Sequence, residues 1–445
     1  MASILSLSAE LKLGIIEQLD LTSSSFIPGP SQELLNLSCV CRTLRELALP
    51  YIFQDLVLLN NEKNGTSMLE IFKSALAVHA RSIHYIGVMM IPEEDGNYNA
   101  PKPSDSHLPS TVQEALSSLG RLPNLERVVV EFRCAMTEDE DEGIYEASYD
   151  IYGEPESDEQ VVEGEQTEAY RSLMKRSYDA LAQNSASSIR SLEFRNVVAK
   201  RCSSWSTSEF RTLLSEVDSF TISLRGGGNG VGWLINRVVA YLAFVESLDD
   251  LFFRHLHSAR TLRLSATTDG PPGLEGGMNN AGLPLKVDQL PNLRSLELKH
   301  FFISRSLATF ITKHCNTLKE VRLNNCYSGL GDFECADGVA ISWAEFFSTI
   351  ASIPDCRPRV FHTFEVGPSD WENAPNPKKD EYGYQQALQT KALRETFPGR
   401  RMFDYKRIDD KYGMLFDFDE ILEERFKDGA DHASWQRLMR CLEQD

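Results

Sequence analysis

The sequence predicts an α/β chain in which a short N-terminal helical module precedes an irregular, horseshoe-shaped solenoid of strands and helices, interrupted by one acidic loop. Three observations predict it. An apolar residue followed by others three and five positions later recurs along the chain after helix-like stretches. Two stripes of helical period occupy the first fifty residues. Between positions 138 and 168 stand fourteen Asp or Glu and no Lys or Arg, a segment that interrupts a fold and does not build one.

The bulk composition limits the function classes. The 445 residues, 42% hydrophobic and 25% charged, are ordinary for globular chains and leave room for one large or two to three smaller domains. No run of 18 uncharged apolar residues occurs and the N-terminus lacks a basic, then apolar leader, so a cytoplasmic or nuclear place and no membrane are expected. The nine cysteines (Cys39, Cys41, Cys134, Cys202, Cys315, Cys326, Cys335, Cys356, Cys441) form no C-x-x-C unit, which predicts reduced thiols. A net charge of -20 argues against nucleic acid as a partner, because binding a phosphate backbone requires clustered Lys and Arg.

Residues 1–55 read as the helical module. Ser8 can cap a helix carrying Glu10 in its first turn and an apolar stripe of Leu11, Ile15, Ile16 and Leu19. After the breaker-rich stretch from Thr22 to Pro30, a second helix is predicted on Leu34, Leu37, Cys41, Leu44 and Ala48, with a parallel set Leu35, Val40 and Leu47, ending before Pro50. So small a module has little core of its own; two apolar faces imply that one packs within the chain and the other against a partner or the next domain.

Leu7-Ser-Ala-Glu10-Leu11, Ile15-Ile16, Leu19 and Leu35-Asn-Leu-Ser-Cys-Val40-Cys41-Arg42-x-Leu44 resemble the F-box motif over residues 4 to 50. Val40-Cys41-Arg42 is its most specific part. The following segment from Leu49 to Leu58 resembles the first strand that fungal F-box proteins place after the motif. Ser8 stands where the family usually has proline, and Thr22 to Ser31 lengthen the usual helix connection. The resemblance implies docking to a Skp-type adaptor, and through it to a cullin, in a RING ubiquitin ligase, with the downstream region selecting a protein substrate for ubiquitin-dependent degradation. Leu7, Leu11, Ile15, Leu35, Val40 and Leu44 are the docking residues it implies.

Residues 56–366 carry the recurring signature: Ile83-x-x-Ile86-x-Val88, Leu125-x-x-Val128-x-Val130, Ile189-x-x-Leu192-x-Phe194, Val217-x-x-Phe220-x-Ile222, Leu293-x-x-Leu296-x-Leu298, Leu318-x-x-Val321-x-Leu323, and a weaker one at Ala259, Leu262 and Leu264. The last full unit continues through Asn324-Asn325 to Cys326 and resembles a leucine-rich repeat. The resemblance implies stacked units with a short strand each and helices, such as 306–314, in the opposite layer. Residues 137–168 read as a mobile acidic loop. Asp139 and Asp141 begin an EF-hand pattern that Gly143 and Ile144 break. In 367–445 a Pro- and Asn-rich loop (367–377) precedes capping helices at 419–426 and 434–442.

No catalytic chemistry is read. Arg225-Gly-Gly-Gly-Asn-Gly-Val-Gly232 lies between a predicted strand and a helix from Trp233 to Leu251, but its glycines miss the dinucleotide spacing and no P-loop lysine follows. The histidines show no zinc spacing, with His255-x-His257 and His314-Cys315 lacking further ligands. No metal, cofactor or catalytic residue is therefore assigned. The alternative to the ubiquitin-ligase adaptor is a leucine-rich-repeat binding scaffold whose N-terminal helices cap the horseshoe, and a third class is an enzyme using the glycine-rich turn.

Overall fold

The computed structural model describes residues 7–20, 30–90, 108–135, 155–184, 189–227, 234–274, 280–330, 339–353, 358–363, 365–366, 382–409 and 411–442. The chain forms two compact units, one of Met1–Tyr149, Glu156–Val197 and Arg201–Ile222, the other of Asp150–Pro155, Val198–Lys200 and Ser223–Asp445.

The first unit opens with helices α1 (Ala9–Asp20), α2 (Gln32–Ser38) and α3 (Arg42–Ile52). The Ser31 hydroxyl accepts the Leu34 N–H at 3.1 Å, starting α2. Ile16, Leu34 and Ala48, one from each helix, are the core of the module, with Leu37, Leu47, Tyr51 and Ile52 packed against them. The single second helix read from the periodicity is two. Cys41 is extended (φ −160°, ψ 167°), which breaks the turn, and α3 then runs through Pro50 and does not stop before it.

Five strands follow in this unit: β1 (Asp55–Leu59), β2 (Ser82–Met90), β3 (Arg127–Ala135), β4 (Ser191–Val197) and β5 (Ser219–Leu224). Between them stand α4 (Glu62–Phe72), α5 (Ser110–Ser117), α6 (Asp158–Thr167), α7 (Ala169–Ala182) and α8 (Ser208–Glu216). Parallel register aligns the core in rows: Leu56, Ile83, Val128 and Leu192 in one, Leu58, Tyr85, Val130 and Phe194 in the next. The helical layer closes this face through aromatic rings. Tyr178 of α7 meets Phe194 and Trp205, each at 5.3 Å between centroids, and Phe210 of α8 stacks on Phe194 at 6.1 Å.

In the second unit the order is α9 (Val239–Leu251), β6 (Thr261–Ser265), β7 (Ser295–Lys299), β8 (Phe302–Ile303), α10 (Arg305–Lys313), β9 (Glu320–Asn324), β10 (Tyr327–Ser328), α11 (Trp343–Ala351) and β11 (Val360–Thr363). Then come α12 (Tyr382–Thr396), β12 (Lys406–Ile408), β13 (Leu415–Asp417), α13 (Asp419–Asp428) and α14 (Ala430–Leu442). Here too the core falls in rows, Leu262, Leu296, Val321 and Phe361 being mutual register partners.

The fold class differs from the leucine-rich-repeat-like solenoid, or horseshoe, that the triplets suggest. The strands of each unit lie in chain order, β1-β2-β3-β4-β5 in the first and β6-β7-β9-β11 in the second, every described pairing among them is parallel, and helices stand in the connections other than that from β6 to β7: a Rossmann-like α/β fold. The apolar triplet reports a strand with one buried face, which any parallel strand of this kind shows, and carries no information about a constant repeat. The spacing is indeed unequal, 64 residues separating the starts of β3 and β4 and 25 those of β7 and β9. Register also moves one triplet. Ile83 pairs with Val128, so the β2 unit is Ala80, Ile83 and Tyr85, and Ile86 takes the opposite face.

The remaining expectations divide. The acidic segment ends in order: Ser157 and Gln160 form a capping box that starts α6, where a mobile loop through 168 was expected. Residues 136–154, with Asp139 and Asp141, lie outside the described residues, as do 228–233 of the glycine-rich turn and the loop at 367–377. Helix α9 starts at Val239 and not at Trp233, whereas α10, α13 and α14 cover the helices expected near 306–314, 419–426 and 434–442. Among the described residues no helix is long and apolar enough to cross a membrane.

Candidate docking surfaces

The N-terminal module presents apolar side chains that its own core does not use. The Ser8 hydroxyl accepts the Leu11 N–H at 3.4 Å, and the helix so begun leaves Leu11 58% exposed while Ile16 is fully buried. Val40, 59% exposed, stands at the break between α2 and α3, where its N–H donates to the Leu37 carbonyl and the chain turns outward. The Val40-Cys41-Arg42 element is therefore a turn entering α3 and not a stretch of one helix. Arg42 pairs with Glu46 at 2.7 Å on the exposed side of α3. Leu7, Ile15 and Leu35 are half-buried. Leu44, expected on the docking surface, is fully buried together with Ala48, one turn further along α3. It belongs to the interior.

In the first unit, the strand face opposite the aromatic rings is mixed, with buried Ile86 and Val129 standing beside ion pairs. Glu193 on β4 accepts from Arg195 at 2.5 Å and from Arg127 on β3. Glu131 accepts from Arg133 Nε at 2.6 Å and from His84 Nε2 on β2 at 2.9 Å, and both His84 and Glu131 are buried. Burial alone would push the Glu131 carboxyl up; the hydrogen bonds from His84 and Arg133, with the Arg133 charge, reverse this and hold it at about 2. Glu193 is lowered in the same way, desolvation being outweighed by its two arginines. Carboxylates so clamped remain ionised acceptors and are poorly matched to proton transfer near neutral pH.

The corresponding face of the second unit carries the register row Arg263, Glu297, Arg322 and His362. Glu297 accepts from Arg263 at 3.2 Å and from Asn324 at 2.8 Å, while Arg322 and Ser295 converge on Glu320. Hydrogen bonds from Arg322 and Ser295 lower the Glu320 carboxyl. Near the strand exits, Asn196, His300 and Asn325 take left-handed backbone (φ 51°, 57° and 48°), two residues after the buried Phe194, Leu298 and Leu323 respectively. This turns the chain off the sheet.

These charges were not singled out from the sequence, though a signal existed: in four of the triplets the residue between the last two apolar positions, Glu193, Arg263, Glu297 or Arg322, is charged and projects from the face away from the core. Parallel sheets are usually covered on both faces by apolar layers, whereas Arg263, Glu297 and Arg322 on the second unit's strands stay partly exposed as paired charges. Among the described residues no three His, Cys, Asp or Glu side chains gather as a metal site. No model of a known protein family matches the chain, and no curated protein matches it.

Proposed function

We propose that this chain is a substrate-recognition adaptor of a Skp/cullin/F-box-type ubiquitin ligase, binding the Skp-type adaptor through the N-terminal helices and a protein substrate through the charge-bearing strand faces. The observation that carries the reading is the exposure of Leu11 and Val40, each more than half open to solvent in a module whose core is otherwise closed. Both stand at positions where the F-box resemblance puts partner contacts. Burying such side chains is worth about 1.5–3 kcal/mol each, enough for two or three of them to anchor an interface. The ubiquitin chemistry resides in the partners on this reading, and the chain itself contributes geometry.

The test is co-purification of the full chain with a Skp-type adaptor. Leu11→Asp with Val40→Asp should abolish binding while far-ultraviolet circular dichroism and the unfolding midpoint stay unchanged, because both side chains are exposed. Leu44→Ala should behave oppositely, lowering stability by about 2–5 kcal/mol through a core cavity. Failure of the wild-type chain to bind at micromolar concentration would overturn the ligase reading and leave a protein-binding scaffold.

A further inference from the structure

Near the C-terminus, within the second unit, three arginines converge where the chain has no catalytic or docking assignment. Arg400 and Arg401 follow α12, Arg425 lies in α13, and His432 in the first turn of α14; all four line one open cavity of about 210 Å³ including the space at its mouth. Each guanidinium is held in place. Arg400 lies over the Phe397 ring at 4.5 Å and donates to the carbonyls of Phe426 and Lys427, at 2.6 and 2.7 Å. Arg401 lies over the Trp435 ring at 4.8 Å and donates to the Thr363 carbonyl. Arg425 donates to Asp431 at 2.9 Å. Gly429 makes the approach possible: it is left-handed (φ 77°), and a Cβ there would meet Arg400 Cζ at 2.8 Å.

The charges in this cavity are not balanced from within. Asp431 is already engaged by Arg425, by the Tyr405 hydroxyl at 2.6 Å and by the Ala344 N–H at 2.8 Å. Glu365 approaches Arg401 Nε only to 4.0 Å. The Nε atoms of both Arg401 and Arg425 are buried and have no hydrogen-bond partner. The chain therefore leaves both guanidiniums less than fully satisfied. His432 accepts the Arg401 backbone N–H on Nδ1 at 3.0 Å, which makes it neutral with its proton on Nε2, a further donor. Burial and the neighbouring Arg400 hold His432 below its ordinary range, and burial lowers Arg401 even against the pull of Glu365. Burial is the larger cause for both, and only at His432 do neighbouring arginines add to it.

We propose that this cavity is a binding site for a single small oxyanion, a phosphate-type group, taken up between the Arg400, Arg401 and Arg425 guanidiniums. Planar guanidiniums fixed over aromatic rings are pre-organised for bidentate contact with such oxygens. The site stands independently of the adaptor reading.

The test uses the full chain and thermal unfolding with sodium phosphate, O-phosphoserine or sodium chloride at matched ionic strength and constant pH. A ligand that binds only the folded state raises the midpoint, saturably with concentration. Phosphate should raise it beyond chloride, and Arg401→Lys, which keeps the charge and removes the buried Nε donor, should weaken the apparent affinity by about tenfold. Arg400→Gln should do so with no change in the midpoint measured in chloride greater than that of Arg401→Lys. If phosphoserine acts like phosphate, the group is one carried on a side chain; if phosphate alone acts, the ligand is the free ion. Equal effects of all three salts, or an undiminished phosphate shift in both variants as followed by ³¹P line broadening, would overturn the proposal.

Discussion

Asp431 shows how much one side chain decides here. Its carboxylate, 4% exposed, receives the Tyr405 hydroxyl, the Arg425 guanidinium and the Ala344 N–H, so a single residue at the start of α14 fastens that helix to α11 and to the chain entering β12. Around it Trp343 donates from its indole to the Asp404 carbonyl at 2.9 Å and packs on Phe347 and Phe403. Breaking a buried pair by removing one partner typically costs 3–5 kcal/mol, because the other charge is stranded. Asp431→Ala is therefore expected to lower the free energy of unfolding by about that amount in urea titration. A loss below 1 kcal/mol would mean that Arg425 and Tyr405 find other partners. Asp431→Asn, which keeps the shape, should lose less.

At the scale of elements, the acidic segment is anchored where it rejoins the unit. Arg171 on α7, 2% exposed, makes a two-pronged contact with Glu156 at 2.6 and 3.0 Å, approaches Glu168 at 3.8 Å and donates to the Arg201 carbonyl. Gly164 on α6 permits this closeness, since a Cβ would meet Arg171 Nη1 at 2.5 Å. Glu165 in turn accepts from the Ser203 N–H and hydroxyl, both at 2.6 Å. Helix α6 has few buried apolar residues, Val161 foremost, so its order depends on these polar ties more than on propensity. Arg171→Met should leave the sheet intact and strip hydrogen-exchange protection from residues 158–167. Unchanged protection there would show that the capping box and Glu165 suffice.

For the whole molecule, acid stability follows from clamped carboxylates. Glu131 sits at about 2, well under the roughly 4.3 of a free glutamate. The sign follows from the proton count: the unfolded chain binds the proton first, so the stabilisation is full above about pH 4.3 and is lost as pH falls toward 2. The shift corresponds to about 3 kcal/mol at this buried site. The stability gap between wild type and Glu131→Gln should be largest near pH 6–7 and close as pH approaches 2.5, read from urea unfolding at each pH. A gap that is constant with pH would place the effect in packing and not in charge.

Much of the strand layer was readable locally. Six apolar triplets and the weaker seventh each fall on a strand, because alternation with one buried face is written in neighbouring residues and needs no distant information. Helix α10 and the pair α13 and α14 were likewise visible from their periods, as was the apolar surplus of the first fifty residues. Strand partnership was not: that Ile83 stands beside Val128, or that β2 starts its triplet at Ala80, depends on register, which residues 45 positions apart settle together. The same holds for exposure. Leu11, Val40 and Leu44 look alike as apolar positions of one pattern, and only the packing of three short helices leaves the first two in solvent and closes the third. The arginine cavity is the extreme case, assembled from Arg400 and Arg401 after α12, Arg425 of α13 and His432 of α14 around a left-handed glycine. Sequence alone determined the periods, the charge and the positions of most elements, because those are set by side chains within a few residues of one another. Tertiary structure decided class, register and site, because they are set by which faces the chain could not bury.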